Sequence, residues 1–188
     1  MKPVDSLLEA DPRYATMVRV NEQTGEVRPV HISDLDSLVR HIELGPAVPE
    51  KVRLQFDVAR SAFVYSWFAY DLVTLAERHS YAVVELALRL RAERDAPVPA
   101  PDKRTLKPLL DVAIQRHWLR REDFEVPSPA GSGRTISILD MMQGLRNNLA
   151  HGNMHLFPDG SFETIRLCSA IISKLFPDQP DACAPEPR

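Results

Sequence analysis

Apolar residues return every three or four positions along Val52, Phe56, Ala59, Phe63, Trp67 and Tyr70. That period puts them on one side of a helix, and a stripe this aromatic needs other packed elements to cover it. Val64, Phe68, Leu72 and Leu75 widen the stripe, and Pro49 suits a helix start. A second apolar series, Tyr81, Val84 and Leu88, runs through Ser80 to Asp95. Residues 49–95 therefore read either as two helices or as one long helix kinked or broken near 78–80.

Three further helices complete the pattern. Leu106, Leu109, Leu110, Ala113 and Ile114 form a stripe ending near Trp118. A helix over 135–151 follows, with Gly152 at the position after its end. After a turn at Pro158-Asp159-Gly160, Phe162, Ile165, Leu167, Ile171, Ile172, Leu175 and Phe176 support a last helix. Ala96 to Pro101 reads as a stiff proline linker, and Val126 to Gly133 as a mobile loop.

Before Pro49 the period changes. Residues 14–32 resemble a β-hairpin around Asn21-Glu-Gln-Thr-Gly25. Ser33-Asp34 reads as a cap for a short helix that Gly45-Pro46 stops. Helices joined by short loops cannot bury their stripes alone. The expected fold is all-α, an up-and-down bundle of four to five helices with a small N-terminal β-hairpin and short helix. Residues 1–45 form the appendage, 49–176 the bundle and 177–188 a disordered tail.

Composition narrows the function classes. The net charge is -3 and the pI about 6.1, so no global basic field draws the chain to nucleic acid. Any phosphate-binding surface must be local. Cys168 and Cys183 do not read as a disulfide framework, and the N-terminus has no signal-like apolar run. The expectation is a cytoplasmic chain that makes no membrane contact.

The residues that most resemble chemistry are Arg146-Asn147-Asn148-Leu149-Ala150-His151-Gly152. On a helical wheel Ile138, Leu139, Met142, Leu145 and Leu149 form the core side. Asp140, Asn147 and His151 share a sector of roughly 40°, with Gly144 beside them. Arg146 projects about 140° from His151, at the border of the core stripe. It either reaches back to the polar face or enters the bundle to meet a carboxylate. Gly144 costs a helix about 1 kcal/mol relative to alanine, and would let another backbone approach. His151 at a helix C-terminus has its imidazolium favoured by the dipole, which suits proton transfer near neutral pH. Basic residues and Asn-Asn pairs are also ordinary features of helix ends.

Glu85 reads either as an i,i+4 partner of Arg89 or as the carboxylate that holds Arg146. Lys103, Arg104, Lys107, Arg116, His117, Arg120 and Arg121 are a phosphate footprint or a solvated face, diluted by Asp102, Asp111, Glu122 and Asp123. His151 and His155 lack a further ligand at metal spacing, so neither a metal nor a cofactor is expected.

Taken with its helical setting, Arg146-Asn147 followed by His151 resembles the motif of the HEPN superfamily (higher eukaryotes and prokaryotes nucleotide-binding domains). The segment Ala76 to Arg89 is similar to the second-helix region of bacterial HEPN-like proteins. The resemblance covers residues 49–176. It implies a homodimer in which two motifs meet and cleave RNA without a metal. His151 would then be general acid or base, Arg146 would stabilise the phosphorane, and Asn147 would position phosphate or histidine. Asp140, Gly144 and Glu85 would support them. Some HEPN toxins carry a modifiable tyrosine two positions after the histidine; here Asn153 stands there, so that form of silencing is not implied. The family suggests a role in bacterial defence. The alternative it also contains is a non-catalytic helical dimerisation or interaction module.

Overall fold

Leu72–Asp95 is one unbroken helix, α3, and most of the molecule is built against it. The computed structural model describes residues 2–95, 105–127, 135–150 and 158–177. The expected linker at 96–101, the loop residues 128–133, His151, Gly152, His155 and the tail beyond Pro177 lie outside these. Among the described residues six α-helices occur, with α1 spanning Ile32–Arg40 and α2 Glu50–Tyr65. After α3 come α4 (Leu106–Gln115), α5 (Ile138–Ala150) and α6 (Pro158–Leu175). β1 (Val18–Val20) pairs antiparallel with β2 (Val27–Pro29), and β3 (Glu125–Pro127) with β4 (Thr135–Ser137).

α3 packs against α2, α4, α5 and α6. Its inward residues Ala76, Val83, Val84, Ala87 and Leu88 are buried, and they meet Phe56 and Phe63 of α2 and Ile165, Ile171 and Ile172 of α6 in one core. No helix among the described residues is long and apolar enough to cross a membrane.

The break in the aromatic-rich segment falls at 66–71, not near 78–80. The stripe Val52, Phe56, Ala59, Phe63 is helical, but Trp67 and Tyr70 lie in the connection. The cause lies far away in sequence. Ser66 Oγ donates to the Phe63 carbonyl at 2.6 Å and shares a 2.6 Å hydrogen bond with the Tyr14 hydroxyl. Asp11 then takes up the backbone groups that the break releases. Its N–H donates to the Trp67 carbonyl at 2.7 Å, and its carboxylate accepts the Tyr70 N–H at 3.0 Å. Lys2 Nζ donates to the Phe68 carbonyl at 3.3 Å. Buried backbone groups need partners, and the N-terminal segment supplies them.

That segment contributes Tyr14, Leu35, Val39 and Val48 to the core, while both strands of the first hairpin are exposed along their length. Tyr14 sits in a short 3-10 turn rather than in the hairpin. Asn21 caps the turn, its side-chain oxygen accepting the Gln23 and Thr24 N–H groups, and Gly25 takes φ 71° as such a loop requires. α1 is capped two residues earlier than Ser33: Ser33 N–H donates to His31 Nδ1, and His31 N–H donates to Asp34 Oδ2 at 2.8 Å. α1 ends at Arg40, short of Gly45, and Arg60 of α2 donates to the carbonyls of Val39 and Arg40 there.

Asp34 anchors the hairpin to α1. Arg28 donates to both its oxygens, at 2.8 and 2.6 Å, and Arg19 lies 3.5 Å away. The Arg28 hydrogen bonds hold its carboxyl below the ordinary 3.8, at about 2. A depressed carboxyl stabilises the fold above the unfolded value and loses that contribution as pH falls through the folded one. We therefore expect roughly 1–2 kcal/mol to vanish between about pH 4 and pH 2. Urea unfolding midpoints across that window should fall more steeply for the wild type than for Asp34→Asn; equal slopes would remove this role from Asp34.

Other boundaries moved for local reasons. α4 stops at Gln115 because His117 adopts φ 58° and the Trp118 N–H turns back to the Ala113 carbonyl. The stems of the loop expected at 126–133 pair as β3 and β4, with Val126 opposite Ile136, so α5 begins at Ile138 rather than Thr135. Pro158-Asp159-Gly160 is the first turn of α6 rather than a separate turn: proline at a first helical position gives up no helical hydrogen bond.

Candidate functional site

α5 is rotated by its apolar side. Leu139, Met142 and Leu149 are buried and Ile138 and Leu145 partly so, as the wheel required. This leaves Asp140, Gly144, Arg146 and Asn148 exposed, with Asn147 half-buried. His151 lies just past the described end of α5.

Arg146 lies beside the bundle rather than in it. Its Nη2 is 3.8 Å from Glu85 Oε2, and its side chain keeps 48% of its exposure. Glu85, at 18%, accepts Arg89 Nη2 on its other oxygen at 3.2 Å. Glu85 is thus the i,i+4 partner of Arg89, and its other oxygen faces Arg146 beyond hydrogen-bond reach; it is half-buried, not the buried carboxylate of the second reading.

The remaining supporting residues are dispersed. Asp140 is engaged by Arg121, whose Nε lies 3.1 and 3.2 Å from its two oxygens. It is thus tied to the β4 side of the helix rather than turned toward its end. A Cβ built on Gly144 meets nothing within 4 Å, so no backbone among the described residues uses the gap. Of the basic residues around α4, Lys107 pairs with Asp111 at 3.8 Å and Arg121 with Asp140, while Lys103 and Arg104 lie outside the described residues. Among the described residues no three His, Cys, Asp or Glu side chains gather as metal ligands.

Two residues that the sequence did not single out hold the flanks of the motif. Arg78 of α3 donates to the Leu149 carbonyl in the last turn of α5. A guanidinium there satisfies an orphan carbonyl and complements the dipole. Its neighbour Glu77 is buried at 1% exposure and accepts Ser161 Oγ at 3.2 Å and Thr164 Oγ1 at 2.8 Å from the first turns of α6. One turn of α3 thus grips the chain on both sides of 151–157. The sequence signal was a carboxylate at a core position, Glu77 among Val73, Ala76, Ser80, Tyr81 and Val84.

A cleft of about 380 Å³ opens on another side of α5, bounded by Tyr81, Phe124, Val126, Leu145, Thr164 and Leu167. Asp123, Glu125 and Glu163 also line it, against Arg166 as the one cation among its described lining residues, so that charge disfavours phosphate. Burial pushes the hydroxyl of Tyr81 and the free thiol of Cys168 far up from their ordinary values, which leaves both neutral. Compared with known proteins, the chain matches no family model, no curated protein and no solved structure.

Proposed function

We propose that this chain is a HEPN-like RNA-binding protein, and that Arg146, Asn147 and His151 form a metal-independent endoribonuclease centre where two copies meet. The observation that carries the reading is the placement of Arg146. It stands near the end of α5, half exposed, with a carboxylate 3.8 Å away that orients it without a close ion pair. A guanidinium in that state has donors left for a phosphate.

In the proposed reaction a ribose 2′-oxygen attacks the adjacent phosphorus and the 5′-oxygen leaves. His151 takes the 2′-hydroxyl proton, and the second copy's histidine protonates the leaving oxygen. Arg146 stabilises the charge that builds on the phosphorane, and Asn147 positions the phosphate. The products are a 2′,3′-cyclic phosphate and a 5′-hydroxyl.

The test is cleavage of mixed-sequence RNA in EDTA. The wild type should cut and His151→Ala should not. The second reading is a non-catalytic dimerisation module, favoured by the open space over the exposed Gly144. Under that reading RNA stays intact, and the chain sediments as a dimer that bulk at Gly144 dissociates. A strict monomer at tens of micromolar would remove the shared site from both readings.

A further inference from the structure

The outer side of α3 carries Arg78, Ala82, Glu85 and Arg89 at spacings of four, three and four, which align along one face of the helix. Arg78 and Ala82 are exposed, and Glu85 and Arg89 half-buried. The end of α5 runs beside this face in the opposite direction, because Arg146 faces Glu85 while Leu149 faces Arg78. Two guanidinium groups, Arg89 and Arg146, therefore lie at one carboxylate, and Arg78 stands about two turns away on the same face. Arg89 and Arg146 share Glu85, and Arg89 Nε finds no acceptor. From Arg78 to Arg89 the helix rises roughly 16 Å. Glu93, one turn further on, marks where the basic run ends. In a chain of net charge -3 this is a local positive strip, and Ala82 leaves its middle free of bulk.

We infer that this strip, the α3 face with the adjoining edge of α5, binds the phosphodiester backbone of single-stranded RNA and leads it to the end of α5. The inference rests on the RNA-binding reading above and extends it to residues outside the motif. A strip one helix wide suits one strand, because recognition of duplex RNA needs a face that spans successive grooves. Arg78, Arg89 and Arg146 each take a phosphate, and the strand displaces Arg146 and Arg89 from Glu85.

The experiment measures binding of a short, mixed-sequence 2′-O-methyl RNA by fluorescence anisotropy over a range of salt. That probe cannot be cut, since it lacks the attacking hydroxyl. The slope of log affinity against log salt should be about -2 for the wild type, at about -0.7 per phosphate neutralised on a single strand. Arg89→Gln should weaken binding about five- to tenfold and flatten the slope by about 0.7. Arg78 also caps α5, so the decisive variants are at Ala82, which is exposed and inside a helix. Ala82→Glu should weaken binding about tenfold and Ala82→Lys should tighten it, both with unchanged circular dichroism. Arg40→Ala, at an exposed arginine paired with Asp36 on α1, should change nothing.

Equal losses in Arg40→Ala and Arg89→Gln, or unaltered binding in Ala82→Glu, would overturn the strip. A wild type that cuts RNA in EDTA while Ala82→Glu binds normally would overturn the strip alone. Binding along the strip without cleavage would overturn only the catalytic reading. A wild type with no affinity at low salt would overturn both.

Discussion

Asp11→Ala should lower the thermal midpoint by about 6–12 °C. Asp11 is nearly buried and accepts the Tyr70 N–H, the Arg13 N–H at 3.1 Å and the Arg13 guanidinium at 2.9 and 3.0 Å. The Arg13 side-chain hydrogen bond, aided by the two backbone donors, holds its carboxyl well below the usual range. Alanine strips the Tyr70 N–H of its acceptor in a buried connection and releases the guanidinium stacked 4.5 Å over the Tyr70 ring. Leaving buried donors unmet costs roughly 3 kcal/mol in total. For a chain of this size each kcal/mol moves the midpoint by about 2–4 °C. Asp71→Ala removes the other partner of Arg13, which is largely exposed, and should shift the midpoint by less than about 2 °C. If differential scanning calorimetry finds the two variants equal, Asp11 is not what fixes the break between α2 and α3.

Arg146→Ala should separate activity from stability. We expect RNA cleavage to fall at least a hundredfold, on the order of what removal of one oxyanion-type donor costs. The midpoint should move by under about 4 °C, because a half-exposed pair at 3.8 Å contributes at most about 1 kcal/mol. Arg146→Lys keeps the charge but loses the planar fork, and should recover only part of the rate. A midpoint drop above about 10 °C would make Arg146 a strut of the α3–α5 contact and remove it from the proposed centre. Unchanged cleavage with unchanged stability would remove it as well.

What was legible in the sequence is whatever depends on period. The stripes of α2, α4, α5 and α6 were readable because an apolar residue every three or four positions has no other economical burial. The same wheel placed Leu139, Met142 and Leu149 inward and kept Arg146 at the border, where it is found. The first hairpin was readable because Asn21 and Gly25 carry turn chemistry in their own side chains. Glu85 was readable only as a pair of alternatives, since i,i+4 spacing with Arg89 is local and the contact with Arg146 is not.

Only the tertiary structure decided the rest. Trp67 and Tyr70 continue the helical period of α2, yet they leave the helix because Asp11 and Tyr14, more than 50 residues earlier, satisfy the backbone there. β3 and β4 are too short and irregular to signal themselves, and pairing alone makes them strands. Arg78 looks like an ordinary charged residue in a helix, and Glu77 like a carboxylate at a core position with no partner named, until α5 and α6 are packed around them. Arg78 then meets a helix end and Glu77 meets two hydroxyl groups. The division has one physical cause. Local spacing fixes which side of an element is apolar, whereas the partners of a polar group depend on which distant segment arrives beside it.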